Sequence, residues 1–173
     1  MIRTTATFVF AAVCMISCSV EESVSPLDPL DAVAAFEGKW TGTHKMMGVE
    51  EEFGATYSIH RVEDTLVWDF ESTFQGGFTG KAVLRWDEER GQWAETWTDS
   101  TGEPETVSYS DWDAATSTMR SSAAGTDWND PTIELTIHGL TVVSEAGFDY
   151  TMTYSYPDGK TTEVMWIHMT SVE

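Results

Sequence analysis

Cysteine is almost absent from this chain. Of its 173 residues only Cys14 and Cys18 are cysteines, and both lie near the N-terminus. The rest of the chain therefore has neither a disulfide nor a metal site built on thiolates. Its fold has to depend on a hydrophobic core, and an apolar content of 41 % is enough to form one.

Basic residues are scarce as well. The chain has 9 lysines and arginines against 29 aspartates and glutamates, which gives a formal charge of −20 at pH 7. Such an acidic surface repels nucleic-acid phosphates and offers no basic patch for anionic lipids. We therefore expect no nucleic-acid partner and no electrostatic membrane binding. The charge either keeps the protein soluble or helps it to bind a cation or a cationic partner.

A long apolar run is also missing. The stretch from Ala6 to Ile16 is apolar except for Thr7, but a bilayer-spanning helix needs about 20 such residues. Arg3 supplies a positive charge in front of this stretch, as in a secretory signal peptide. Residues 1–17 are therefore predicted to be a signal peptide that directs export.

The end of this segment is more specific. Met15-Ile16-Ser17-Cys18 resembles the bacterial lipobox, and the resemblance implies that Cys18 becomes the lipidated N-terminus. Because Ser19 rather than Asp follows, the usual Gram-negative sorting rule predicts an outer-membrane lipoprotein of the cell envelope that faces the periplasm. Residues 18–26 would then be the lipidated N-terminus and tether, and 27–173 the folded domain. The alternative is an ordinary secretory cleavage site, with Cys18 beside it by chance.

Signatures of catalysis and of metal binding are missing. The chain has no nucleophile elbow, P-loop, dinucleotide fingerprint, His-Glu-x-x-His motif or EF-hand loop. No two of its histidines stand at ligand spacing; they are His44, His60, His138 and His168. We therefore predict that the protein is not an enzyme and that it holds no metal and no cofactor.

What the chain does have is alternation of apolar and polar residues with a period of two. The pattern is clear in Thr65–Glu71, Phe78–Trp86, Thr132–His138 and Phe148–Tyr156, and it places one set of side chains on each face of a strand. Turn-forming residues separate these segments. With about ten candidate strands and no crossover helix, the pattern predicts an all-β fold, a single antiparallel up-and-down barrel.

One short helix is expected before the strands, between Leu27 and Phe36. Asp28 suits the N-cap, and Pro29 suits the first helical position. We expect this helix to close one end of the barrel.

Two segments carry a family resemblance. Gly38-Lys39-Trp40 resembles the start of lipocalin-like (calycin) barrels. The segments Val83–Asp87 and Gln92–Ser100, joined by a turn, are similar to a hairpin of a bacterial lipocalin-like family that is known only as a domain of unknown function. The resemblance covers the chain from Ala34 onward. It implies a barrel whose end is closed by Gly38 and Trp40, and it implies no activity.

Aromatic residues supply the candidate ligand site. Trp93, Glu95 and Trp97 share one face of a predicted strand. If that face is inward, a carboxyl group lies among aromatic rings, where burial raises its pKa and where it is able to bind an amine or another polar head group. An outward face or a basic partner for Glu95 is the alternative. The candidate ligand-binding residues are Trp68, Trp86, Trp93, Glu95 and Trp97.

One histidine is a weak candidate for haem. His168 lies in a C-terminal segment that is apolar on both faces, which predicts that it is partly buried. Some related small barrels hold haem through such a histidine, and a neutral imidazole in an apolar pocket is what haem iron requires. A solvated strand residue is the plainer interpretation.

Two functions follow from this pattern. The first is an exported, lipid-anchored barrel that binds a small apolar or amphipathic ligand. The alternative is a structural or interaction lipoprotein of the envelope, with a packed barrel and no ligand.

Overall fold

The computed structural model describes residues 28–102 and 104–172, which form a closed antiparallel barrel. Its strands are β1 (Gly38–Met46), β2 (Glu52–Val62), β3 (Thr65–Ser72), β4 (Phe78–Asp87), β5 (Gln92–Asp99), β6 (Thr106–Asp113), β7 (Thr118–Asp127), β8 (Asp130–Ser144), β9 (Gly147–Ser155) and β10 (Thr161–Ser171). Each strand pairs with its neighbours in sequence, and β10 pairs with β1 to close the wall. The predicted up-and-down barrel is confirmed. The predicted signal peptide (1–17) and tether (18–26) lie outside the described residues.

The predicted short helix is confirmed as α1 (Pro29–Ala32). The Asp28 side chain caps it by accepting a hydrogen bond of 3.0 Å from the backbone N–H of Leu30. A 3₁₀ turn at Ala34–Phe36 follows. Leu30 and Phe36 are buried in the core of the barrel. We call the end at which α1 lies the helix end and the opposite one the far end.

Arg61, at the end of β2, ties this helical segment to the wall. Its guanidinium group donates to carboxylates of Asp28, Asp31 and Glu37 at 3.2–3.3 Å. Because these groups are exposed and screened by solvent, the ion pairs add little to stability. They link the helical segment to the end of β2.

Trp40 fills the helix end from the first strand. Its indole N–H donates to the carbonyl of Phe36 at 2.9 Å, and its ring packs edge-on against Phe148 with the centroids 5.3 Å apart. Gly38 begins β1 with φ of 140°, a conformation that favours glycine and turns the chain from the 3₁₀ turn into the wall. Both residues therefore lie where the helical segment meets the barrel.

The predicted hairpin is present as β4 and β5. Trp86 pairs with Trp93, and Asp87 pairs with Gln92, so that residues 88–91 form the turn. The alternating segment Thr132–His138 lies within β8, which extends beyond it at both ends. The register of β8 with β7 shifts between Thr126 and Asp127. This irregularity accommodates Pro131, which has no N–H for a regular ladder.

Candidate functional site

Glu95 faces the interior of the barrel. It lies opposite Leu84 of β4 and Ser108 of β6 in the ladders, and Leu84 is completely buried. Its neighbour on the same face, Trp93, is 2 % exposed. Among the described residues, no lysine or arginine pairs with Glu95. The outward face and the basic partner, which the sequence left open, are therefore both wrong.

Burial changes the acid–base behaviour of this carboxyl group. Because desolvation disfavours the charged form, it raises the pKa of Glu95 from its ordinary value of 4.5 to about 7. Near neutral pH the interior therefore contains both the carboxylic acid and the carboxylate. A group with this property is able to accept hydrogen bonds as an anion or to donate one as an acid.

Two phenols approach Glu95 from other strands. Tyr57 lies on β2 and Tyr150 lies on β9. Burial raises the pKa of both phenols well above their ordinary value of 10, and the charge of Glu95 raises both further. The carboxyl group therefore lies within electrostatic reach of both phenols. They remain uncharged hydrogen-bonding groups at any physiological pH.

Five further polar atoms on the inward faces have no hydrogen-bond partner among the described residues. They are the hydroxyls of Ser108 and Ser110, the indole N–H groups of Trp68 and Trp112, and Nδ1 of His44 at the far end. Buried polar groups are normally hydrogen-bonded. Ser110 is only 1 % exposed and Trp68 only 8 %, so a partner for them has to lie inside the barrel, either an ordered water or a polar group of a ligand. We call Glu95, Tyr57, Tyr150, Ser108 and Ser110 the interior polar cluster.

Aromatic rings pack around this cluster. Glu95, Tyr57, Tyr150 and Trp97 face the interior of the closed wall, and each is half-buried rather than fully buried. The ring of Tyr57 lies 4.7 Å from that of Phe70, and at the helix end Phe36 contacts the rings of Trp68 and Trp112.

A cleft of about 330 Å³ lies at the helix end, between α1 and the strands β4 to β6. Pro29 and Ala32 line its helical side, and Trp86 lines its outer rim. Trp86 is 37 % exposed and packs against Trp93 with the ring centroids 5.3 Å apart. Trp93, Ser110 and Trp112 line its inner side, so the cleft borders the serine end of the interior polar cluster.

The structure brings together most of the predicted ligand-binding residues. Trp68, Trp93, Glu95 and Trp97 all face inward, whereas Trp86 lies at the rim of the cleft. Sequence reasoning missed the tyrosines and serines of the cluster. Tyr150 alternates with polar residues along its predicted strand, so its face could have been found, but not its closeness to Glu95.

The buried histidine at the far end of the barrel is His44, whereas the sequence predicted partial burial of His168. His44 is 3 % exposed, and its Nε2 shares a 2.6 Å hydrogen bond with the hydroxyl of Ser72. Rings of Phe53, Phe70 and Phe74 surround it at 5.4–6.0 Å. Desolvation lowers the pKa of His44, so its imidazole is neutral at pH 7.

His168 is not buried, which corrects the sequence-based expectation. Its side chain is 65 % exposed, and its Nδ1 lies 2.7 Å from a carboxylate oxygen of Asp149 on the outer wall. The register shifts between Glu163 and Met165, which brings Val164 into the core and leaves His168 outside. An exposed imidazole paired with a carboxylate does not offer haem an apolar pocket.

Within 28–102 and 104–172, no three His, Cys, Asp or Glu side chains are grouped as a metal ion requires. In the same residues no helix is long and apolar enough to cross a membrane.

Comparison with known proteins supports the fold. No family model matches the chain, and no curated protein matches it. Solved structures do match, among them the crystal structure of Rv2717c from M. tuberculosis. That protein is 12 % identical, with a TM-score of 0.62 over 83 % of this chain and 97 % of the other. At this identity the similarity shows the barrel fold alone, so the resemblance to a lipocalin-like family stays a prediction.

Proposed function

We propose that this protein binds a small amphipathic ligand inside its barrel and that it acts by binding rather than by catalysis. The observation that carries the proposal is Glu95, a carboxyl group that faces the aromatic interior of the barrel without a basic partner among the described residues. Ligand sites are typically apolar cavities with a few polar groups that orient the ligand. Here the apolar side chains of Trp93 and Trp97 flank Glu95 on the inward face of β5.

The energetic cost of the cluster favours this function over a packed structural barrel. Each buried polar group without a partner costs about 1–3 kcal/mol. A barrel that serves only as a scaffold gains nothing from this cost, since leucine or valine would fill the same positions. A polar ligand that bonds to Ser108 and Ser110 offsets it, as an ordered water inside the barrel also does.

We further propose that the barrel acts in the bacterial cell envelope, anchored through lipid on Cys18. The proposal is supported by the lipobox-like segment Met15–Cys18. In a Gram-negative host, metabolic labelling with a palmitate analogue is expected to mark the full-length protein and to fail with Cys18→Ala. Labelling of Cys14→Ala should persist, because that residue lies in the predicted signal peptide. Equal labelling of wild type and Cys18→Ala would contradict the anchor.

Ligand binding is testable with the chain from Ser19 onward, since every contact described here lies within 28–172. We expect medium-chain amphiphiles with different head groups to include at least one that quenches tryptophan fluorescence saturably at micromolar concentration. Trp97→Phe should reduce the quenching, because Trp97 faces the interior. Trp128→Phe is the matched control, since Trp128 is 41 % exposed and lies outside the interior. If no compound binds and a native mass spectrum shows no ligand, the packed-barrel alternative is favoured.

A further inference from the structure

We propose that the ligand of the interior polar cluster carries a cationic amine as its head group, with Glu95 as the counter-ion. The inference rests on the proposed function, because it names the class of ligand for the same site. It follows from the distribution of charge inside and outside the barrel and from the kinds of hydrogen-bonding atoms around Glu95.

The first argument is the placement of positive charge. The described lysines and arginines lie on the outer wall or in turns, apart from Arg61. Arg61 lies at the helix end, where three carboxylates already engage its guanidinium group. A carboxylate or phosphate head group would therefore be buried beside Glu95 without a cation, and an uncompensated buried charge is strongly unfavourable.

The second argument is hydrogen-bonding capacity. An ammonium group has three N–H donors and no acceptor. The Glu95 carboxylate and the oxygens of Tyr57, Tyr150, Ser108 and Ser110 are all able to accept, and both serine hydroxyls lack a partner. The π-faces of aromatic side chains in the same interior also attract a cation.

The third argument is the field of the whole protein. A net charge of −20 concentrates cations around the molecule and repels anions. An ammonium ligand is therefore enriched at the mouth of the cleft, whereas a fatty acid is depleted there. The internal charge and the external field favour the same class of ligand.

The proposal predicts a specific pH dependence. An ammonium ion pairs with the ionised form of Glu95, whose pKa is raised to about 7 by burial. The titratable groups that face Glu95 are Tyr57 and Tyr150, and both stay neutral in this range; Leu84 and Ser108, beside it in the ladders, carry no charge. Affinity for an amine is therefore expected to rise up to tenfold per pH unit below pH 7 and to level off above it.

The experiment compares octylamine, octanol and octanoate, which share one chain and differ in head group. With the chain from Ser19 onward, we expect octylamine to bind at least tenfold more tightly than octanol at pH 8, and octanoate not to bind. Glu95→Gln is expected to lower octylamine affinity at least tenfold and to leave octanol affinity unchanged. Retained octanol binding also shows that the variant is folded.

Nonspecific attraction of amines to the acidic surface is controlled with Glu71→Gln, which removes an exposed carboxylate from β3. This variant is expected to bind octylamine like the wild type. Octanoate binding as tightly as octylamine, or unchanged octylamine binding in Glu95→Gln, would overturn the amine assignment while leaving the ligand-binding function intact. Binding of none of the three, together with no binding across the wider range of amphiphiles, would remove both.

Discussion

Glu95→Gln is expected to stabilise the protein by about 3 kcal/mol at pH 8 and to have little effect at pH 4. The reason is that folding raises the pKa of this carboxyl group from 4.5 to about 7, and this difference corresponds to about 3 kcal/mol. Between these pH values the folded state holds a proton that the unfolded state has released. Stability is therefore lost as the pH rises from 4.5 to 7. Glutamine has a similar shape and no charge, so it avoids this loss.

Denaturant unfolding of both proteins at several pH values measures the effect. Other carboxylates also change stability with pH, but they contribute equally to wild type and variant and cancel in the difference. Glu71→Gln is the matched control, because Glu71 is exposed on the outer wall. Its effect is expected to stay within about 0.5 kcal/mol at each pH. A Glu95→Gln difference that does not change with pH would show that the carboxyl group is well solvated.

The stability that Glu95 costs near neutral pH also bears on the function. Stabilising substitutions are common in proteins, so a residue that costs a few kcal/mol could readily have been replaced by a more stabilising one. Departures of this kind from good packing concentrate at functional sites. The stability lost at Glu95 and the binding proposed for it therefore have the same cause, the buried carboxylate. A bound ammonium ion is expected to restore most of that stability, because it neutralises this charge.

Much of the barrel could be predicted from the sequence because local rules determine it. Alternation in Phe78–Trp86 and Phe148–Tyr156 predicts strands that the structure shows as β4 and β9. Asp28 and Pro29 predict the start of the helix, since capping involves only neighbouring residues. A short turn between two alternating segments also determines the pairing of Trp86 with Trp93.

The site could be predicted only in part. Alternation shows that Trp93, Glu95 and Trp97 share a face, but it does not say which face is inward, because this face carries an acid as well as two tryptophans. The closeness of Glu95 to Tyr57 and Tyr150 depends on barrel closure, which brings together strands that lie far apart in sequence. No pattern within one strand contains that information.

The error at His168 came from the composition of its segment. Apolar residues stand on both faces of this strand, so the sequence predicted that both faces are covered. In the barrel Ile167 and Met169 fill the interior, whereas His168 lies on the outer wall. The shift of register between Glu163 and Met165 also buries Val164, which a strict period of two would place on the same face as His168.

Gly42→Ala is expected to destabilise the protein by about 3 kcal/mol or more, since even ordinary overpacking costs 1–3 kcal/mol. Gly42 pairs with Met169 where β1 and β10 close the barrel. A Cβ atom there would overlap the backbone carbonyl of His168 and lie 2.9 Å from the Cα atom of Met169. Both neighbours are backbone, so they are able to give way only if the ladder that joins these strands is disturbed.

Gly54→Ala on β2 is the matched control. The new Cβ atom would meet only the Thr73 side chain, at 3.6 Å, which is ordinary contact. It is expected to be neutral or to stabilise the fold by about 0.5–1 kcal/mol, since alanine has less backbone freedom to lose on folding. Thermal unfolding should therefore place Gly42→Ala about 10 °C below the wild type and Gly54→Ala at or slightly above it. Equal unfolding temperatures would mean that the contact between β1 and β10 is loose. A selective loss in Gly42→Ala would show that the seam between β1 and β10, which closes the wall around Glu95, leaves no room for a side chain at this position.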